Sequence, residues 1–340
     1  MEHLGVVGLA DSGHGQLFTA LTGVEAGHAS DRLLGVVHIP DERLDALAEM
    51  SESKKVVPAT FQIAYLPGLS TEPGKGLGSR LLGSLRDCDA LMLVVRAADG
   101  NEATRDLRAL EDELVLADLG SVEQRLEKQR RAVKGDKSLG PEIAALEGAE
   151  ATLGEGTPVY RSTLSEAERG LLGPVFLLTN KPALVVVNVG VDQLDDADAA
   201  ARAFGDDALA VCVEIEGDPD VVAADGAERA QLLADLGVAE SVVPRLARSA
   251  LHLLGRNTFL TTGDKESRAW TFRAGSTAPE CAGVIHSDLQ RGFIRAEVIF
   301  WRDLLELGSW AKAKETGKLR VEGKDYVVVD GDVLEIRFNV

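Results

Sequence analysis

Short apolar runs alternate with amphipathic stretches through the first hundred positions. Residues 4–9 and 59–66 read as strands, as do Val36 to Ile39 ahead of Pro40 and the unbroken apolar run 90–96. Between them, residues 16–22 read as the first turns of a helix closed by Gly23, and residues 41–49 open on Asp41, a side chain suited to accept from the free N–H groups of a helix start. A further helix follows the glycine-rich stretch Gly74-Lys75-Gly76-Leu77-Gly78. Strands that are apolar throughout are buried on both faces, so this alternation predicts a parallel sheet with helices on either side.

From about residue 101 to 172 the strand signals stop. Leu107, Leu110, Leu114, Leu116, Leu119, Val122, Leu126 and Gln129 continue a long helix, a polar break falls at Gly135-Asp136-Lys137, and a second helix runs from Pro141 to about Leu153. The pattern is an antiparallel helical hairpin. Its bend gathers Arg125, Lys128, Arg130, Arg131, Lys134 and Lys137, a solvated helix tip on the plainer reading and a binding surface on the other. The sheet pattern then resumes at 183–189 and 209–215, so the hairpin interrupts one nucleotide-fold domain, which helices between about 226 and 254 complete. Beyond about Phe259 the chain is β-rich, with strands expected near 269–272, 293–299, 324–329 and 333–338 and one helix over 278–289.

Composition narrows the picture. At 340 residues and 45% hydrophobic, the chain suits two or three domains with ordinary cores. A net charge of -19 opposes general binding to nucleic acid, which needs clustered Lys and Arg. Nearly all of that excess lies before Asp264, which leaves the tail as the segment best suited to touch RNA. Cys88, Cys212 and Cys281 have no ligand spacing, which predicts a reducing compartment and no zinc site. With no basic leader and no apolar run near ~20 residues, the expectation is a cytoplasmic chain without a membrane span.

The chemistry concentrates at Gly8-Leu9-Ala10-Asp11-Ser12-Gly13-His14-Gly15-Gln16, placed between a strand and a helix. A phosphate-binding loop reads G-x-x-x-x-G-K-[ST]: backbone N–H groups cradle the phosphates, Lys reaches the outer ones and Ser/Thr binds Mg²⁺. Here Gly8 and Gly13 keep the spacing, but His14 stands at the Lys position and Gly15 at the hydroxyl position. Backbone donors and the helix N-terminus still offer an anion site, and a protonated His14 would help it, whereas Asp11 would repel a phosphate.

The longer runs resemble the Obg-like ATPases of the YchF family, a branch of the translation-factor GTPases. The resemblance covers essentially the whole chain and is strongest at 268–279 (RAWTFRAGSTAP), 282–288 (AGVIHSD), 292–299 (GFIRAEVI), 322–326 (EGKDY) and 330–333 (DGDV), which are similar to the family's TGS domain. It extends through 113–119 (ELVLADL), 122–127 (VEQRLE), 178–182 (LTNKP) and 212–216 (CVEIE). The resemblance implies an α/β fold: a P-loop G domain (1–100 and 173–258), an inserted helical hairpin (101–172) and a small α+β, β-grasp TGS domain (259–340). It also implies a preference for ATP over GTP and association with the ribosome.

Each nucleotide motif of the family departs in this chain. The carboxylate of the second motif, which holds Mg²⁺ through water in the family, aligns on Tyr65, with Gly68 kept and Leu69 at the hydrophobic position of this branch. In the base-reading motif Asn188 is kept and Val189 follows, but Val191 replaces the acid; Asp192 is one residue late, which turns its side chain to the wrong side. The segment carrying the family's Mg²⁺-contacting Thr is shortened across 27–34, with Ser30 its one hydroxyl. Losing one preorganised charge-stabilising group costs ~10²–10³ in rate, and phosphoryl transfer depends almost wholly on such groups. The expectation is therefore a monomeric, translation-associated pseudo-ATPase/GTPase that binds nucleotide, ATP or GTP, with Mg²⁺ doubtful, no resident metal and no confident catalytic residue. It would engage ribosome or RNA through the hairpin and TGS surfaces. Two alternatives stay open: an active enzyme in which His14 contacts the phosphate, Asp192 or Glu216 rescues base recognition and Glu72 or Asp89 supplies metal ligands, and a nucleotide-free scaffold with Phe18 or Tyr65 filling the old site.

Overall fold

The computed structural model describes residues 3–26, 31–68, 79–97 and 102–339. The chain divides into two compact units, Met1–Gly35 with Gln62–Leu246, and Val36–Phe61 with Ala247–Val340. Residues 36–61, placed by their strand–helix pattern in the nucleotide-fold domain, thus group with the C-terminal unit.

Strands β1 (His3–Gly8), β2 (Leu33–Ile39), β3 (Val56–Val57), β4 (Ala59–Tyr65) and β5 (Ala90–Ala97) precede the hairpin, and β6 (Ala183–Val189) and β7 (Leu209–Val211) follow it. In the first unit the parallel order is β4-β1-β5-β6-β7. Leu4 lies opposite Ile63 and Ala90, Leu91 opposite Ala183, and Val186 opposite Leu209, so all carboxyl ends fall on one edge. Six successive residues of β5 are buried, as a central strand covered on both faces requires. Helix α1 (His14–Thr22) buries Leu17, Phe18, Ala20 and Leu21 and ends at Gly23, whose left-handed backbone lets its N–H reach the Thr19 carbonyl.

Helices α2 (Glu42–Met50) and α3 (Ser79–Arg86) precede the hairpin of α4 (Glu102–Ala132) and α5 (Gly140–Gly154). The α4 stripe has two partners. Leu107, Leu110 and Leu114 join the core of the sheet, whereas Val115, Val122 and Leu126 pack with Ala145, Leu146, Ala149 and Leu153 of α5. Leu116, read as part of the stripe, is exposed, and Gln129 is buried because its amide donates to Glu142. Much of the basic cluster is paired within the hairpin, Arg125 with Glu142, Arg130 with Glu147 and Arg131 with Glu127.

In the second unit β3, β8 (Arg256–Thr261), β9 (Ser267–Arg273), β10 (Phe293–Phe300), β11 (Arg320–Glu322) and β12 (Asp332–Phe338) form a mixed sheet ordered β11-β10-β12-β8-β9-β3. One cluster joins Phe259, Phe272, Ala296 and Val298 to the helix Ala278–Ile285; another joins Leu44 and Leu47 of α2 to Leu260, Ile299 and Val333. Trp270, Trp301 and Trp310 are half-buried packing residues.

Three elements depart from the sequence expectation. The strand predicted over 209–215 stops at Val211, and Val213–Glu216 turns into a helix. The helix over 278–289 breaks at His286, whose Nδ1 accepts from Asp288 N and starts a second short helix. The strand over 324–329 is absent apart from one bridge between Val327 and Thr277, because Asp332 accepts from the Tyr326 hydroxyl and from Val329 N and holds the segment as a loop.

Candidate nucleotide-binding site

The loop between β1 and α1 is held by short-range geometry. Ser12 N donates to Leu9 O at 3.0 Å, and Leu17 N to Gly13 O at 3.0 Å. Gly13 has φ 83°. A Cβ there would lie 2.4 Å from Asn188 Nδ2, and one on Gly8 would lie 2.0 Å from Ser12 Oγ, so both motif glycines are sites of close approach. Asn188 fastens the loop from below: its Nδ2 donates to Ser12 O at 3.0 Å and its Oδ1 accepts from Val213 N at 3.2 Å. The side chain expected to read a base thus ties β6, the loop and the 213–216 helix together.

The Lys position carries a buried ring. His14 is 4% exposed, stacks on Tyr65 with centroids 5.2 Å apart and planes 10° apart, and Tyr65 in turn meets Phe18 at 5.8 Å. Ser12 Oγ lies 3.0 Å from His14 Nδ1, while Nε2 is buried without a hydrogen-bond partner. Desolvation lowers the His14 pKa, opposed in part by the Leu66 backbone, so the ring is held neutral rather than as the cation the loop position invites. Burial likewise pushes the Tyr65 phenol up. Gly68 brings the second motif against the loop; a Cβ there would lie 2.8 Å from Ala10 Cα and 3.2 Å from His14 Cε1.

This burial sets a pH dependence. Below the ordinary histidine pKa of about 6.5 the unfolded chain takes up a proton that folded His14 resists, so its contribution to stability is intact above that pH and lost as pH falls. The melting temperature is expected to drop between pH 7.5 and 5.5 more steeply in the wild type than in His14→Leu. Parallel slopes in the two proteins would mean that His14 is freely hydrated.

Among the described residues, the donor set at the loop does not fit Mg²⁺. Gly15 has no hydroxyl, Tyr65 offers a phenol packed on His14, and Thr19 Oγ1 donates to Gly15 O at 3.1 Å. Asp89 accepts from His3 N at 2.8 Å at the amino edge of the sheet, the opposite edge from the loop. Glu72, Ser30, Leu69 and the 74–78 loop lie outside the described residues. A phosphate is better matched, because α1 begins with Gly15 and Gln16 in its first turn, where N–H groups lack intrahelical acceptors.

Two cavities flank the loop. One, of ≈ 990 Å³, is lined by Asp11, His14, Gln16, Glu25, Tyr65 and Arg96 among others. The other, of ≈ 430 Å³, adds Asn188, Val189, Asp192 and Glu214 to Asp11, Gln16 and Arg96. Asp192 was expected to turn away; instead the 3₁₀ turn Val191–Asp196 starts at once after Gly190 and brings its carboxylate so close that a Gly190 Cβ would lie 2.6 Å from Oδ1. Val191, within that turn, is exposed, and Val189, at the end of β6, is buried. Glu216 is 1% exposed and accepts from Ser241 Oγ at 2.8 Å and Val242 N at 2.7 Å, so it anchors a neighbouring turn and offers nothing to a base. Arg96 went unmarked in the sequence, where a lone basic residue at the end of an apolar strand was its one signal.

A glycine loop between the first strand and first helix, at the carboxyl edge of a parallel sheet, defines a P-loop nucleotide fold. Residues 257–339 match the family model YchF-GTPase_C, described as a protein of unknown function. Over 363 residues the chain is 38% identical to the ribosome-binding ATPase YchF of Bacillus subtilis, covering 99% of each. It is 37% identical over 360 residues to the Haemophilus influenzae protein of the same name, again covering 99% of each. The YchF GTPase structure from Schizosaccharomyces pombe superposes with a TM-score of 0.84 at 27% identity, covering 99% of this chain and 97% of that one. The chain belongs to the YchF family.

Proposed function

We propose that this protein is a nucleotide-binding YchF member that has lost hydrolysis and retains its translation partners. The observation that carries the reading is the buried His14–Tyr65 stack at the positions where the family's Lys and Mg²⁺-holding carboxylate align. Without those groups the developing charge of phosphoryl transfer has no preorganised cation, whereas the backbone cradle between Gly8 and Gln16 needs neither. Asn188 holds that cradle, and Asp192 on the adjoining cavity wall is a carboxylate available to a base. The relatives are named for ribosome binding, which supports ribosome or RNA as the partner of the hairpin (101–172) and the TGS domain (259–340) on this reading. The protein works as a cytoplasmic monomer on this reading; among the described residues, no helix is long and apolar enough to cross a membrane.

The test is calorimetric titration of the metal-stripped protein with ATP and GTP, with and without Mg²⁺, beside a turnover assay. Saturable binding that ignores Mg²⁺, with no turnover, is expected. Mg²⁺-dependent turnover that vanishes in Gly13→Val would overturn the reading. The same stack also favours a second one, a scaffold that binds no nucleotide, since Tyr65 and Phe18 together pack the region beside the loop. Absence of binding at millimolar nucleotide, with co-sedimentation on ribosomes retained, would select it.

A further inference from the structure

The charge balance of the site rests on one side chain. Among the described residues lining the two cavities beside the loop, Arg96 is the one Lys or Arg, and it lines both, in company with Asp11, Gly13 and Gln16. It stands at the carboxyl end of β5, opposite Asn188 in the sheet register, so the strand delivers it to the edge where the loop lies. Its guanidinium Nη2 donates to Glu102 Oε1 at 2.6 Å. Glu102 is the first residue of α4, the long helix of the hairpin. The arginine side chain is 44% exposed.

We propose that Arg96 is the phosphate-binding cation of this site, held by Glu102 until nucleotide arrives, so that occupancy is passed to the start of the hairpin by exchange of that ion pair. The proposal rests on the nucleotide-binding reading above and adds to it a residue and a route. His14 is neutral and buried and cannot do the task that Lys does in a working loop, while Asp11, Glu25, Asp192 and Glu214 make the cavity walls acidic. Among the described residues, Arg96 is thus the counter-charge that a polyphosphate entering there meets. The arginine end of the pair is open to solvent, which screens the attraction, so trading one carboxylate for a phosphate is inexpensive. The exchange breaks the Arg96–Glu102 pair, one tie between the first turn of α4 and β5.

The experiment is calorimetry of metal-free protein with ADP at several salt concentrations, on the wild type, Arg96→Ala and Glu102→Gln, with amide hydrogen exchange over the first turns of α4. Arg96→Ala is expected to weaken ADP about ten- to a hundredfold, the range of a charge-assisted hydrogen bond, and to flatten the salt dependence. Glu102→Gln, which releases the arginine, is expected to tighten ADP severalfold, and ADP should speed exchange at the start of α4 in the wild type. If the wild type binds ADP and Arg96→Ala binds it equally well, or more weakly with an unchanged salt slope, the proposal falls and nucleotide binding stands. If Glu102→Gln leaves the affinity unchanged, or exchange in α4 does not respond to ADP, the holding role of Glu102 falls. If the wild type binds no ADP, both readings fall together.

Discussion

Asp118→Ala is expected to destabilise the protein by about 3–5 kcal/mol, the range for removing one member of a buried charged network. The Asp118 side chain is fully buried in α4, and its carboxylate accepts from Leu178 N at 2.9 Å, Thr179 N at 2.7 Å and Thr179 Oγ1 at 2.7 Å. Burial pushes its pKa up, and the hydrogen bonds from Thr179 and Leu178 oppose that shift. Alanine strands these donors in a dry setting, and each lost partner leaves a desolvated polar group behind. The consequence reaches function, because Leu178 and Thr179 lead the chain from the hairpin back to β6 and hence to Asn188. Glu123→Ala, on an exposed position of the same helix, is the control and should stay within about 0.5 kcal/mol of wild type. Urea unfolding of the two variants is the measurement. A loss under about 1 kcal/mol for Asp118→Ala would show that the network does not hold the hairpin.

The second large effect is expected at Gly13. Gly13→Ala places a side chain on a residue with φ 83°, at about 1–2 kcal/mol for the left-handed conformation. It also drives a Cβ to 2.4 Å from Asn188 Nδ2 and 2.7 Å from Val213 Cγ2, an overpacking penalty of about 1–3 kcal/mol. Gly23 separates the two contributions, since it has φ 70° with nothing within 4 Å of its virtual Cβ. Gly23→Ala should therefore lose only the conformational part. Gly13→Ala should lose more, together with any nucleotide binding, because the Asn188 amide that holds Ser12 must move. Equal destabilisation of the two variants would mean that the loop is not clamped against Asn188 at all.

These positions show how far the chain could be read without coordinates. Strand 183–189 and the α1 stop at Gly23 were legible because apolar runs and a left-handed glycine are local signals. The 209–215 run was misread because a short apolar stretch has no period to separate strand from helix, and the contacts that hold its end are distant ones, Val213 N to Asn188 and Glu216 to Ser241 and Val242. The valines of 324–329 have strand propensity, yet Asp332 takes their backbone and Tyr326 into a loop. Residues 36–61 looked like nucleotide-fold elements, but Leu44 and Leu47 pack with Leu260, Ile299 and Val333, partners more than two hundred positions away.

At the site the division runs between identity and state. The sequence by itself determined that a glycine loop sits between a strand and a helix with His14 and Gly15 at its Lys and hydroxyl positions, and its longer runs carried the resemblance to the YchF family that aligns Tyr65 with the second motif's carboxylate. Spacing and residue type carry that information, and neither depends on the fold. Only the tertiary structure decided that His14 is buried and stacked on Tyr65, that Asn188 is used to hold the loop, and that Asp192 and Arg96 lie on the cavity walls beside it. Each of these depends on burial or on a partner distant in sequence, and desolvation and hydrogen bonding are properties of the packed chain, not of the residue.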